Sequence, residues 1–525
     1  MQKPLLQTDQ RFPGIHAGYL QPSHAAPTRR VLTPRLSYRW LTAPTVIVLS
    51  AALLALAGVE SRHRPAAIMA MVNITVTALL CRRFLAVNPI TGLIPVFFVV
   101  PTCLLSAVSS LYFCVFNPGF GTSFAGGVWS YLTDNAFFQG IVLLHITMFS
   151  IPWLLFLPTG IRSLPYDRVI EAAKAVSGPI FFSFAACVAG VFVLRLVNMN
   201  HATLIGYFVY GFFRYMDATP MICGMAWHVV SRTVRWQVLG VLGLNTAVNT
   251  ITNSRYYAFV PALFFGAGVM FVSRVSLRRK YTALIVSVVV LAVVLVIGNA
   301  SRRIGTGLWL GGIEALQRQY EVLSHRSEKL LDASWGDEIF GRMFFMGGHQ
   351  IVTLMPVEHS YKEWNIPLYV AEVTTQGILP RGLATRLIAP YHEEKSSLTR
   401  IGHRITSSHS VERSFVGAAW ELGGVGPVIV ISLLTGFFLL GMSAVIHQLF
   451  VMWPRFAVLA MAAECDAVMW SINEGLPSMA HECIYCIIVM GVVYQVVRVI
   501  GSLFYRDSFV RFQIHQRLQR MSPAF

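Results

Sequence analysis

Long apolar stretches broken by short polar, often basic, connections organise this chain. Uncharged runs of about 20 residues recur, among them 90–113, 136–158, 281–298 and 425–446. At ~1.5 Å per helical residue, each can cross a hydrocarbon core ~30 Å thick. The pattern predicts twelve spans, at 43–59, 66–81, 88–113, 136–158, 176–197, 203–229, 236–252, 256–273, 281–299, 414–446, 456–473 and 481–497. The seventh and eighth are short enough to form one broken re-entrant unit. The expected fold class is all-α: a polytopic transmembrane helical bundle of about 12 spans with a long, partly helical periplasmic loop. Its expected organisation is a disordered cytosolic tail (1–42), spans one to nine (43–299), the large loop (300–413), spans ten to twelve (414–497) and a basic cytosolic tail (498–525).

Composition agrees with a bilayer as solvent. Of 525 residues, 55% are hydrophobic and 12% charged, against roughly 25% charged in a soluble domain. The net charge of +17 would suggest nucleic acid in a soluble protein. Here the distribution explains it, and no nucleic-acid partner is expected. The segments assigned to the inside collect 23 Lys and Arg, whereas the short outer connections carry only Arg62, Arg64 and Arg255. This is the positive-inside bias, and it places both termini in the cytoplasm. The first 42 residues hold six basic residues, one acid (Asp9), several prolines and no apolar core. They read as a tail rather than a cleavable signal. The eight cysteines lie in or beside apolar runs. Cys483 and Cys486 have zinc-like spacing without a second ligand pair, so simple packing is the expectation for them.

Segment 300–413 holds 12 of the 24 acidic residues and 6 of the 15 histidines. A loop this long is usually functional or disordered. Ile313, Leu316, Tyr320, Leu323, Leu330 and Leu331 fall at near-helical spacing, which predicts an amphipathic helix on the membrane surface or over a cavity. The apolar stretch 339–355 carries one formal charge, Arg342.

Three arginines stand where the membrane should end: Arg255 after the seventh span, Arg342 in that apolar stretch, and Arg381 after Pro380. A guanidinium fork suits phosphate, and three at one interface would hold a lipid pyrophosphate. Taken singly, a snorkelling or carboxylate-paired arginine is the commoner case. Within or near spans lie Arg195, Arg214, Asp217, Glu464 and Asp466. Intramembrane charges point to function by default, and a structural Arg214–Asp217 pair competes with that reading. His145, mid-span, reads as a satisfied core histidine. Where the chain returns to the membrane, His409, Glu412 and Glu421 are the general-base candidates. Gly423, Gly424 and Gly426 are expected to allow close helix approach.

The order of these features resembles the bacterial oligosaccharide repeat-unit polymerases, the Wzy-type O-antigen and exopolysaccharide polymerases. The resemblance covers roughly the last 280 residues. It rests on Ser254-Arg255, Arg342, Pro380-Arg381 with Pro390 and Lys395, and Trp420-Glu421-Leu422-Gly423-Gly424-Val425-Gly426. The family's Asn-Phe pair is absent and the glycine spacing is tighter. The resemblance implies a bacterial inner-membrane glycosyltransferase acting on an undecaprenyl-pyrophosphate-linked oligosaccharide at the outer face. A chain-length regulator protein is an implied partner. Arg255, Arg342 and Arg381 would bind pyrophosphate, and His409, Glu412 or Glu421 would serve as base. No Asp-x-Asp motif occurs in the loop, so no metal and no cofactor are expected. Two other readings stay open: an O-antigen ligase, which shares the chemistry, and a polysaccharide or lipid transporter (flippase). The lack of a clear internal repeat and the single large loop favour an enzyme.

Overall fold

The structure is a computed structural model that describes residues 42–116, 135–160, 166–196, 213–251, 255–287, 289–290, 365–379, 383, 387, 414–472 and 475–504. Among these residues there are helices and turns and no strand. The helices include α1 (Thr42–Leu56), α2 (Arg64–Val87), α3 (Leu93–Phe116), α4 (Asn135–Gly160), α5 (Tyr166–Leu196), α6 (Pro220–Met225), α7 (Arg232–Ile251), α8 (Arg255–Ala267), α9 (Ile366–Ile378), α10 (Ser414–Trp420), α11 (Val425–Met452), α12 (Pro454–Ser471) and α13 (Leu476–Phe504).

Six of them contain stretches long and apolar enough to cross a membrane: Ser61–Val87, Leu93–Phe116, Asn135–Phe156, Tyr166–Leu194, Val425–Met452 and Leu476–Val496. Two shorter apolar stretches are Thr45–Leu54, in α1, and Ala258–Val272, in α8 and the π turns after it. Burial is arranged as lipid would require. Leu79, Leu155 and Val492 are 60–63% exposed, while Asp217 and Glu464 are fully buried. The chain is a helical membrane protein by this pattern.

The helices adjust several sequence boundaries, each for a local reason. The third predicted span starts at Leu93, not 88, because the Asn88 side chain caps the intervening turn. Its Oδ1 accepts from the Ile90 and Thr91 amides at 3.1 and 3.3 Å. The tenth predicted span is two helices, α10 and α11. Gly423 (φ 143°) and Gly424 (φ 79°) turn the chain between them with backbone that residues bearing a Cβ rarely adopt. The role expected of Gly426 is corrected too, since a Cβ there would meet open space. The sixth predicted span is broken in its described part. Residues 217–219 form a turn, α6 lasts six residues, and turns follow. Close approach makes this break possible: a Cβ on Gly224 would lie 2.3 Å from the Phe265 carbonyl, and one on Gly268 would lie 2.2 Å from the Met221 carbonyl. α8 passes into π turns over Gly268–Val272 at that crossing.

The α4–α11 seam carries much of the packing. A Cβ on Gly436 would stand 2.4 Å from the Phe149 carbonyl, so the two backbones touch there. Lipid tails are as apolar as leucine, so such small-residue contact, not water exclusion, holds the seam. His145 donates to or accepts from Ser432 Oγ at 2.7 Å and packs on Phe98, Phe149 and Phe415. It is a core histidine, although its Nε2 has no partner among the described residues. All eight cysteines are free and buried, as their setting in the sequence predicts.

Candidate functional site

Polar side chains gather where α12, α13 and residues 213–219 meet. α12 explains the gathering. It is 18 residues long and buried along nearly its whole length, yet it carries Arg455, Glu464 and Asp466, all buried. Glu464 and Asp466 are two residues apart, which sets them on different faces of a helix with 3.6 residues per turn. Glu464 turns to α13, where Cys486 Sγ donates to its Oε2 at 3.5 Å. Asp466 turns to residues 213–219, where Asp217 is its neighbour.

Arg214, its side chain a quarter exposed, lies at the edge of this cluster. Its Nη2 donates to Glu482 Oε2 at 2.7 Å. Its guanidinium lies 4.5 Å above the Trp470 ring, one turn along α12 from Asp466, and 5.8 Å from the Tyr215 ring. The pairing of Arg214 with Asp217 weighed from the sequence is therefore corrected: the direct partner is Glu482. A bidentate-capable cation stacked on tryptophan and fixed by a carboxylate is held in one orientation. Glu482 lies at the start of the twelfth predicted span and was missed. The signal was available: an acid inside an apolar helix requires a partner, and Arg214 is a cation in another.

Part of segment 300–413 docks on α13. α9 starts with Asn365 as its N-cap, whose side chain accepts from the Leu368 amide at 3.0 Å. Beyond the cap, α9 runs beside α13 in the same direction. The Tyr369 hydroxyl meets the Leu476 backbone amide. His481 Nδ1 lies 2.8 Å from the Gln376 carbonyl. A Cβ on Gly377 would lie 3.2 Å from Ile484 Cδ1 and 3.4 Å from Ala480 Cβ. From Leu476 to Ile484 is eight residues, so α9 descends about 12 Å along α13 from its first residue. Glu372, 2% exposed, accepts from Gln376 Nε2 at 2.9 Å. Burial pushes the Tyr369 phenol above its ordinary range, and the Glu372 carboxylate adds to the effect.

The predicted site residues fare unequally. Glu421 is described: it is buried in the turn between α10 and α11, its amide donating to the Gly417 carbonyl at 3.0 Å. Arg255 is the first residue of α8, and its side chain lies outside the described set. Arg342, Arg381, His409 and Glu412 lie outside the described residues, as does the predicted amphipathic helix over 313–331. Glu421 stands at the same end of the bundle as the Arg214 cluster. α10 reaches the α12–α13 turn, where a Cβ on Gly475 would lie 3.9 Å from Ala418 Cβ. A shallow crevice between α5, α6 and α7 is lined by apolar groups such as Phe181, Phe184 and Leu242 together with Thr219, and no charged side chain lines it. Among the described residues, no group of three or more His, Cys, Asp or Glu is placed to hold a metal ion. Comparison with known protein families, with curated proteins and with solved structures finds no match for this chain.

Proposed function

We propose that this protein is a polysaccharide polymerase of the bacterial inner membrane. It crosses the membrane about twelve times with both termini cytoplasmic, and segment 300–413 serves the periplasmic face. Its substrate is an oligosaccharide repeat unit on undecaprenyl pyrophosphate. An acceptor hydroxyl oxygen attacks the anomeric carbon, and the bond from that carbon to the pyrophosphate oxygen breaks. The hydroxyl proton passes to Glu421, His409 or Glu412, and the lipid pyrophosphate leaves. Arg255, Arg342 and Arg381 take up the charge that develops on the leaving group.

The observation that supports this reading is the course of α9. Within segment 300–413, α9 lies along α13 from the level of Leu476 to that of Ile484. It ends at Ile378, three residues before Arg381. An arginine carried in this way meets a lipid-linked pyrophosphate at membrane depth rather than in free solution. A 13-residue helix suits such a re-entrant role, being too short to span.

A second reading, a transporter of lipid or polysaccharide, is favoured by the break at residues 217–225 and the buried carboxyls beside it. One assay separates the two. Purified protein in lipid vesicles is given the lipid-linked repeat unit and the product lengths are read on a gel. A ladder of lengthened glycans is the expected result. Transfer only to an added lipid A core would make it a ligase. Lipid-linked sugar crossing the bilayer without any glycan transfer would overturn the enzyme reading.

A further inference from the structure

Two connections meet where α5 and α7 begin: residues 226–231, before α7, and residues 273–276, after the π turns. Printed contacts join them closely. Ser273 Oγ lies 2.9 Å from His228 Nδ1, and the Arg274 amide donates to the same nitrogen at 3.4 Å. Arg235 adjoins His228 as well. Its Nη2 donates to the His228 carbonyl at 3.3 Å, and its guanidinium lies 5.5 Å from the Trp227 ring. The Arg274 guanidinium lies 4.1 Å over the Tyr166 ring and 3.4 Å from the Asp167 carboxylate. Tyr166 is itself fixed, its hydroxyl donating to the Val272 carbonyl at 2.5 Å. The start of α5, the approach to α7 and the chain after α8 thus converge on two arginines, each set over an aromatic ring.

An arginine at the end of a span commonly snorkels into water without a fixed partner. These two are held in place, yet both keep donors to spare, since a guanidinium carries five N–H groups. Arg235 Nε is buried and has no partner among the described residues. Asp167, beside Arg274, has a side chain 66% exposed, and so open an ion pair holds weakly. Cations dominate the same stretches: Arg168, Lys174, Arg232, Arg278 and Arg279 are exposed, and the acids there are Asp167 and Glu171. Apolar side chains stand among these charges. Trp236, 63% exposed, follows Arg235, and Leu277, 51% exposed, separates Arg274 from Arg278. A nucleic acid or an acidic protein matches the cations alone. A bilayer interface matches both, with acyl chains against the apolar groups and phosphates against the guanidiniums. We propose that the surface built on Arg235 and Arg274 binds the headgroup of an anionic phospholipid. The lipid ties the start of α7 to the start of α5 through the 273–276 connection. The surface is independent of whether the bundle transfers glycans or moves them.

The test is native mass spectrometry of the full chain released from micelles holding equal amounts of phosphatidylglycerol and phosphatidylcholine with the same acyl chains. The wild type should retain phosphatidylglycerol about 10-fold over phosphatidylcholine, and Arg235→Gln with Arg274→Gln should abolish that preference. Arg82→Gln with Arg83→Gln removes the same charge from exposed positions on α2 and should leave the preference in place. A second measurement needs no variant: the unfolding midpoint of the wild type should rise with added phosphatidylglycerol and stay level with added phosphatidylcholine. Equal retention of the two lipids, a midpoint indifferent to phosphatidylglycerol, or an equal loss in both double variants overturns the proposal. So does displacement of phosphatidylglycerol by inorganic phosphate at the same concentration, which would give the surface to the free anion.

Discussion

The α4–α11 seam and the α12–α13 seam join membrane helices with different chemistry. In the first, Gly436 lets backbone touch backbone at Phe149, and aromatic rings from Phe98, Phe149 and Phe415 fill the space around His145. In the second, Glu464 meets a thiol, while Glu482 holds an arginine that reaches in from residues 213–219. Contact between small residues is sufficient to hold membrane helices together. Buried ion pairs add little net stability over apolar packing of the same shape. The first seam is therefore explained by the fold alone, whereas the second carries charges for which stability gives no reason. α13, which carries Glu482, is also the helix along which α9, part of segment 300–413, packs.

Substitutions at the two seams should separate these roles. The largest stability effect is expected at the polar seam. Glu482→Ala leaves Arg214 without its carboxylate and should cost about 3 kcal/mol of unfolding free energy, measured by denaturant titration in mixed micelles. Replacing both partners by apolar residues, Glu482→Leu with Arg214→Leu, should restore most of that loss. If the double variant were as unstable as the single one, the pair would be structural after all, and the contrast between the seams would fail. A smaller effect is expected at the apolar seam. Gly436→Ala forces a methyl against the Phe149 carbonyl and should cost about 1–3 kcal/mol, with no restoration available from a polar change. Transfer activity per folded molecule should survive Gly436→Ala.

The contrast also marks what could be read from the sequence. Apolar periodicity reports which stretches face lipid, and six of the predicted spans correspond to helices long and apolar enough to cross. Breaks inside those stretches are harder to see. Gly423 and Gly424 look like any small residues at a helix surface, and their positive φ values follow from tertiary placement of α10. The turn at 217–219 is likewise hidden in an apolar run, because Gly224 and Gly268 stabilise it by approach from another helix. Arg214, Asp217, Glu464 and Asp466 were visible as charges in the wrong solvent, but pairing is spatial. Glu482 lies 268 residues from Arg214, and no local spacing connects them. The docking of α9 escaped for a related reason. A 13-residue helix within a mixed polar loop has neither the length of a span nor the charge pattern of a surface helix.

The central claim is that the outer end of this bundle transfers glycan with lipid pyrophosphate as leaving group, its charge held by Arg255, Arg342 and Arg381. The most direct measurement is the single-turnover rate of glycan transfer from an undecaprenyl-pyrophosphate donor in vesicles, for the wild type and for Arg255→Ala, Arg342→Ala and Arg381→Ala. The account predicts measurable transfer by the wild type and a loss of about 100-fold or more in each variant, with unfolding midpoints unchanged. Full rates in all three variants would contradict the arginine clamp, and the absence of any transfer by folded wild-type protein would contradict the claim itself.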